Sequence, residues 1–117
     1  MSRHDPAATL AQIAEAAGKA RAICDGKTFA GLMADWQATF AFERALEIVG
    51  EAVKRLPSEL HEKYPAVPWR LVAGMRDRLS HGYDDIRHEV LWDAVQQDFP
   101  VLLETVERML RELESGA

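Results

Sequence analysis

The 117-residue sequence holds one cysteine, Cys24, which excludes an internal disulfide and any fold that depends on one. No apolar run approaches the roughly 20 residues that a membrane-spanning helix requires. The opening residues, Met1-Ser2-Arg3-His4-Asp5-Pro6, have no apolar stretch of the kind a secretory signal carries. With these features missing, the cytoplasm is the expected location. Positive charge is also scarce, with 14 Lys and Arg against 19 Asp and Glu and a net charge of −5. A protein that coats nucleic acid non-specifically draws its affinity from cations that neutralise phosphates, so that class is disfavoured. A local basic site is not. Convincing strand-like alternation is lacking too, as are repeats, low-complexity stretches and long linkers. What remains is ordinary globular composition, 48% hydrophobic and 28% charged, for one domain over residues 1–117.

Helical spacing is what the sequence does contain. Asp5 as cap and Pro6 at the first position predict a helix whose apolar face carries Leu10, Ile13, Ala14, Ala17, Ala20 and Cys24, with Gly26 ending it. Thr28 caps a short turn through Leu32. A long helix is predicted from about Asp35 to Leu56, with Trp36, Phe40, Phe42, Leu46, Val49 and Val53 in a broad inward stripe, and Pro57 stops it. Residues 58–62 suggest a helical turn. Tyr64-Pro65-Ala66-Val67-Pro68 reads as an extended connector, because proline biases its predecessor away from helical angles. Helix resumes near Trp69 and reaches about His81, with Leu71, Val72, Met75 and Leu79 inward and Gly82 placed to end it. The last helical segment starts near Asp85 and is kinked or split by Pro100 before running to Leu113. The fold class is all-α, an up-and-down bundle of four to five helices.

The densest chemistry lies in Met75-Arg76-Asp77-Arg78-Leu79-Ser80-His81-Gly82-Tyr83. Between Arg70 and His88 there are four arginines against three aspartates, and two of the four histidines. Arginine suits phosphate because its planar fork donates two hydrogen bonds. Histidine suits proton transfer because its pKa lies near the working pH. Taken alone, the same residues read as solvated helix-surface charges with a histidine at a helix C-terminus.

The wider sequence shifts that balance. Phe42-Glu43-Arg44-Ala45-Leu46-Glu47-Ile48-Val49-Gly50-Glu51-Ala52-Val53, Tyr64-Pro65 with Pro68-Trp69, Ala73-Gly74-Met75-Arg76-Asp77-Arg78-Leu79, Ser80-His81-Gly82-Tyr83 and Leu91-Trp92 closely resemble the HepT-like branch of the HEPN superfamily. The resemblance covers essentially Trp36 to Leu113, and the first helix more loosely. The family's Arg-x4-His-x-Tyr motif falls on Arg76, His81 and Tyr83. The residue after the arginine is usually asparagine in this family, and Asp77 here places a carboxylate beside Arg76. The resemblance implies a metal-independent endoribonuclease toxin without a cofactor. It also implies a symmetric homodimer with facing motif copies, and a cognate nucleotidyltransferase antitoxin. Arg76 and His81 are then the expected catalytic pair and Tyr83 the acceptor of AMP from the antitoxin. Arg78, Ser80 and Asp77 are expected to contact RNA. A catalytically silent HEPN partner of the nucleotidyltransferase is the alternative, and a purely structural dimer a third reading.

Spacing adds a geometrical constraint. Five residues along a regular helix leave Arg76 and His81 about 140° apart. They converge if the helix loosens near Gly82 or if a second subunit supplies one member. Asp84 and His88 stand one turn apart, but no thiolate or second spaced pair completes a metal shell. Glu43, Glu47 and Glu51 read as a solvated face, with a partner-binding edge the alternative. Trp36, Trp69 and Trp92 read as core or subunit-interface aromatics, because stacking on RNA bases requires exposure. Cys24 reads as a small buried hydrophobe.

Overall fold

The side chain of Asp5 accepts a hydrogen bond from the Ala7 N–H (3.1 Å) and so caps helix α1, Pro6–Cys24. Gly26 follows with φ at +76°, a conformation that a glycine adopts without strain. Thr28 caps α2, Phe29–Ala34, through the Gly31 N–H, and Asp35 caps α3, Trp36–Arg55, through the Ala38 N–H. The remaining helices are α4, Ser58–Lys63, α5, Trp69–His81, α6, His88–Gln97, and α7, Phe99–Glu114. The computed structural model describes residues 5–81 and 86–116, without the side chains of Ser80 and His81. Among the described residues there is no strand, and no helix is long and apolar enough to cross a membrane. The architecture is the expected all-helical one. Two of the helices, α2 and α4, have only six residues each. Pro100 does split the C-terminal segment, entering α7 at its start, where no intrahelical N–H bond is lost.

Helix α3 occupies the centre, with α1 and α5 packed against it, α7 on α1, and α6 against α7 and α1. Leu10, Ile13, Leu46, Val49, Val53, Val72, Leu102 and Val106 are wholly buried there. Each such side chain contributes about 1.5–3 kcal/mol relative to exposure. This core is what holds α5 against α3.

Three expectations are corrected by the structure. Trp36 and Phe40 are 65% and 63% exposed, and Leu71 and Leu113 are also partly exposed. At 100° per residue, Trp36 and Phe40 lie about 110° and 150° around α3 from the centre of the face formed by Phe42, Leu46, Val49 and Val53. The stripe read from the sequence was therefore drawn too wide. The connector from Tyr64 to Pro68 turns back instead of running extended. Val67 N–H points to the Tyr64 carbonyl at 3.5 Å, Trp69 N–H donates to Val67 (2.8 Å), and Tyr64 and Val67 are both buried. Trp69 is buried too, donating its indole N–H to the Tyr64 carbonyl (2.8 Å) and stacking on His61.

Candidate functional site

The placement of Arg76 begins with a glycine on another helix. A Cβ built on Gly50 would stand 2.8 Å from the Arg76 backbone nitrogen, 2.9 Å from the Arg76 Cβ and 3.2 Å from the Val72 carbonyl oxygen. Nothing larger than hydrogen fits, so the backbones of α3 and α5 meet at this point. The residue after Gly50 then lies within reach of the arginine. Glu51 Oε1 accepts from Arg76 Nε at 2.8 Å, and Arg55 Nη1 lies 3.8 Å from the other Glu51 oxygen. Arg55 in turn donates to the Gln12 side chain on α1. The arginine is thus tied through α3 to α1.

Asp77 completes the arrangement on the other side. Its Oδ1 lies 3.6 Å from Arg76 Nη1 and 3.2 Å from Lys54 Nζ on α3. The carboxylate that the sequence places beside Arg76 is therefore shared with a lysine that sequence spacing did not connect to it. Arg76 remains 37% exposed. It opens on a groove of about 300 Å³, between α1, α3 and α5, whose lining includes Arg44, Glu47, Glu51 and Arg55. Anchoring Nε fixes the guanidinium plane, and the terminal nitrogens carry the fork that suits a phosphate.

The other expected site residues distribute unevenly. Arg78 is exposed on the opposite side of α5, where it lines a groove with Val90, Asp93 and Asp98 of α6 and its C-terminal edge. Arg76 and Arg78 therefore do not converge within this chain. Helix α5 continues to His81, so it does not loosen between Arg76 and His81. The side chains of Ser80 and His81, and the whole of Gly82, Tyr83, Asp84 and Asp85, lie outside the described residues.

His88, the other half of the disfavoured metal pair, bonds through Nε2 to Glu43 Oε2 at 2.6 Å, joining the start of α6 to α3. Among the described residues, no three His, Cys, Asp or Glu side chains converge as metal ligands do. Glu43 and Glu51 are thus cross-helix partners, not members of a merely solvated face. Sequence reasoning missed these pairings, along with Lys54 and Arg55. One signal was available, since glycine within a helix costs about 1 kcal/mol relative to alanine and calls for a packing reason. Gly50 has that reason.

The chain is similar in sequence to known proteins over most of its length. A family model described as Ribonuclease HepT-like matches residues 13–109. The chain is 41% identical over 87 residues to a protein of Caldanaerobacter subterraneus subsp. tengcongensis named as a candidate RNase, covering 74% of this chain and 78% of that one. It is 40% identical over 89 residues to a Thermococcus cleftensis protein named as a candidate ribonuclease HepT, covering 76% and 77%. A Methanocaldococcus jannaschii protein, also named as a candidate RNase, is 34% identical over 107 residues, covering 92% and 98%. No solved structure matches the chain.

Proposed function

This chain belongs to the HepT-like ribonuclease family, and we propose that it is a metal-independent endoribonuclease acting as a homodimeric toxin under the control of a nucleotidyltransferase antitoxin. The observation that carries the reading is Arg76. It is fixed by Glu51 at the Gly50 crossing, partly exposed on a groove, and five residues before His81 on the same helix. A buried structural arginine would not keep its charge open to a groove.

In the proposed reaction the RNA 2′-hydroxyl attacks the adjacent phosphorus. His81 takes the hydroxyl proton, the bond to the 5′-oxygen breaks, and the departing oxygen is protonated as a cyclic phosphate forms. Arg76 stabilises the charge that gathers on the phosphoryl oxygens. Since α5 stays helical through His81, positions 76 and 81 stand about 140° apart around its axis, which favours a site completed by a second subunit. Cleavage of single-stranded RNA by the purified protein is expected to persist in excess EDTA, with cyclic-phosphate ends on the 5′ fragments. Loss of cleavage on chelation, restored by adding a divalent metal, would replace this mechanism with a metal-assisted one.

Control by AMP transfer has one candidate acceptor of suitable character. The chain has two tyrosines. Tyr64 is only 7% exposed and its hydroxyl donates to the Glu112 carboxylate. That bond, reinforced by burial, pushes its pKa above the ordinary range and makes it a poor nucleophile. Tyr83 is left as the acceptor. An adenylyl group there adds a phosphodiester with one negative charge, the same chemistry that the arginine fork would bind in RNA. With an active nucleotidyltransferase and ATP, intact-mass spectrometry is expected to show adenylyl additions on wild type and none on Tyr83→Phe, which stays toxic. Full neutralisation of Tyr83→Phe would remove this tyrosine from the switch.

A further inference from the structure

The aromatic pair that the core does not use has a definite setting. Trp36 and Phe40 meet edge to face, with ring centroids 5.5 Å apart at 75°. Both are mostly exposed, 65% and 63%. Trp36, Phe40 and Arg44 follow one another at four-residue intervals, so they form a ridge on one surface of α3 with steps of about 6 Å. Arg44 also lines the groove that contains Arg76. The ridge and the groove together extend about 22 Å along α3, from Trp36 to the level of Glu51. From one end to the other, this surface presents two aromatic faces, a cation, and then the arginine placed against the scissile phosphate in the proposed reaction.

We propose that Trp36 and Phe40 form a base-stacking subsite for single-stranded RNA, with Arg44 holding a phosphate between that subsite and Arg76. Aromatic side chains bind unpaired bases regardless of sequence, because every base offers a π-face, and they do so only when exposed. Arg44 is free to take this role at small cost. Its bond to Glu47 (3.0 Å) joins two solvent-accessible side chains, a type of pair worth little. The extent of the patch favours bases over a second protein surface. Trp36 and Phe40 are flanked along α3 by Asp35, Gln37, Arg44 and Glu47, and the other exposed large apolar side chains among the described residues are Leu71 and Leu113. A stable subunit contact needs about 800 Å² on each partner with an apolar centre, which two rings do not supply.

The inference takes its RNA ligand from the ribonuclease reading, but it is testable without turnover. The probe is a fluorescein-labelled, unstructured RNA oligonucleotide titrated with His81→Ala protein in a polarisation assay, with a duplex RNA of the same length as control. Trp36→Ala or Phe40→Ala is expected to weaken single-strand binding roughly 5- to 100-fold, with Trp36→Phe retaining most of it. Arg44→Ala is expected to weaken binding and make the salt dependence shallower by about 0.7 in log–log slope. Duplex binding should not respond to the aromatic variants. Undetectable single-strand binding, or equal binding by the Trp36→Ala and Phe40→Ala variants, overturns the proposal. So does a Trp36→Ala protein whose mass by light scattering drops to a smaller oligomer, which would make the pair a subunit contact. If wild type cleaves no RNA but aromatic-dependent binding holds, the ribonuclease reading fails and the stacking site stands. If wild type cleaves with a KM indifferent to Trp36→Ala, the reverse is true.

Discussion

Arg76→Ala is expected to lower RNA cleavage about 10²–10³-fold, the loss seen when one preorganised donor to a developing oxyanion is removed. The expectation rests on how the side chain is held. Its Nε is engaged by Glu51 at 2.8 Å, so the guanidinium is oriented before substrate arrives and no reorganisation is needed at the moment of reaction. Arg76→Lys should recover little, because an ammonium offers neither the planar fork nor an Nε for Glu51 to hold. Glu51→Ala should cost less than Arg76→Ala, since it leaves the cation in place but unanchored. If Glu51 acts only by positioning Arg76, the double variant Arg76→Ala/Glu51→Ala will be no slower than Arg76→Ala alone. Single-turnover rates on one RNA, measured for wild type and these four variants, read this directly. A wild-type rate in Arg76→Ala would place phosphate stabilisation elsewhere.

Gly50 should give the largest loss of stability from the smallest chemical change. Adding one methyl at Gly50 sets it 2.8 Å from the Arg76 backbone nitrogen and 2.9 Å from its Cβ. Those atoms belong to the body of α5 and cannot swing aside, so the helices must separate. Overpacking of this kind costs about 1–3 kcal/mol. It runs against the gain of up to about 1 kcal/mol that alanine brings to a helix interior. Gly74 on α5 provides the control, because a Cβ there meets nothing within 4 Å. Gly74→Ala is therefore expected to raise stability slightly and Gly50→Ala to lower it, in matched urea titrations. Gly50→Ala should also lose RNA cleavage beyond its loss of folded protein, since moving α5 away from α3 breaks the contact between Glu51 and Arg76. Effects of opposite sign are the signature sought. Stabilisation by both alanines would mean that the two helices do not touch at Gly50.

Helix existence in this protein is local information, and so it was legible in the chain. Asp5, Thr28 and Asp35 each cap the helix that their position suggests, Pro57 follows the end of α3, and Pro100 divides α6 from α7. The motif was equally legible, because Arg76, His81 and Tyr83 form a pattern that is linear in sequence. Which face of a helix is buried was less so. Apolar identity placed Trp36 and Phe40 inside, whereas burial depends on the direction from which α1 and α5 approach α3, and that direction leaves both rings outside.

The electrostatic setting of the motif belongs to the tertiary structure alone. Glu51 with Arg76, Lys54 with Asp77, and Glu43 with His88 join residues 23 to 45 positions apart, and no helical period relates them. The sequence by itself determined which groups are available and where the helices start and stop. Packing decided which charges meet, because a contact between helices depends on how closely their backbones approach. At Gly50 that approach is set by the absence of a single Cβ.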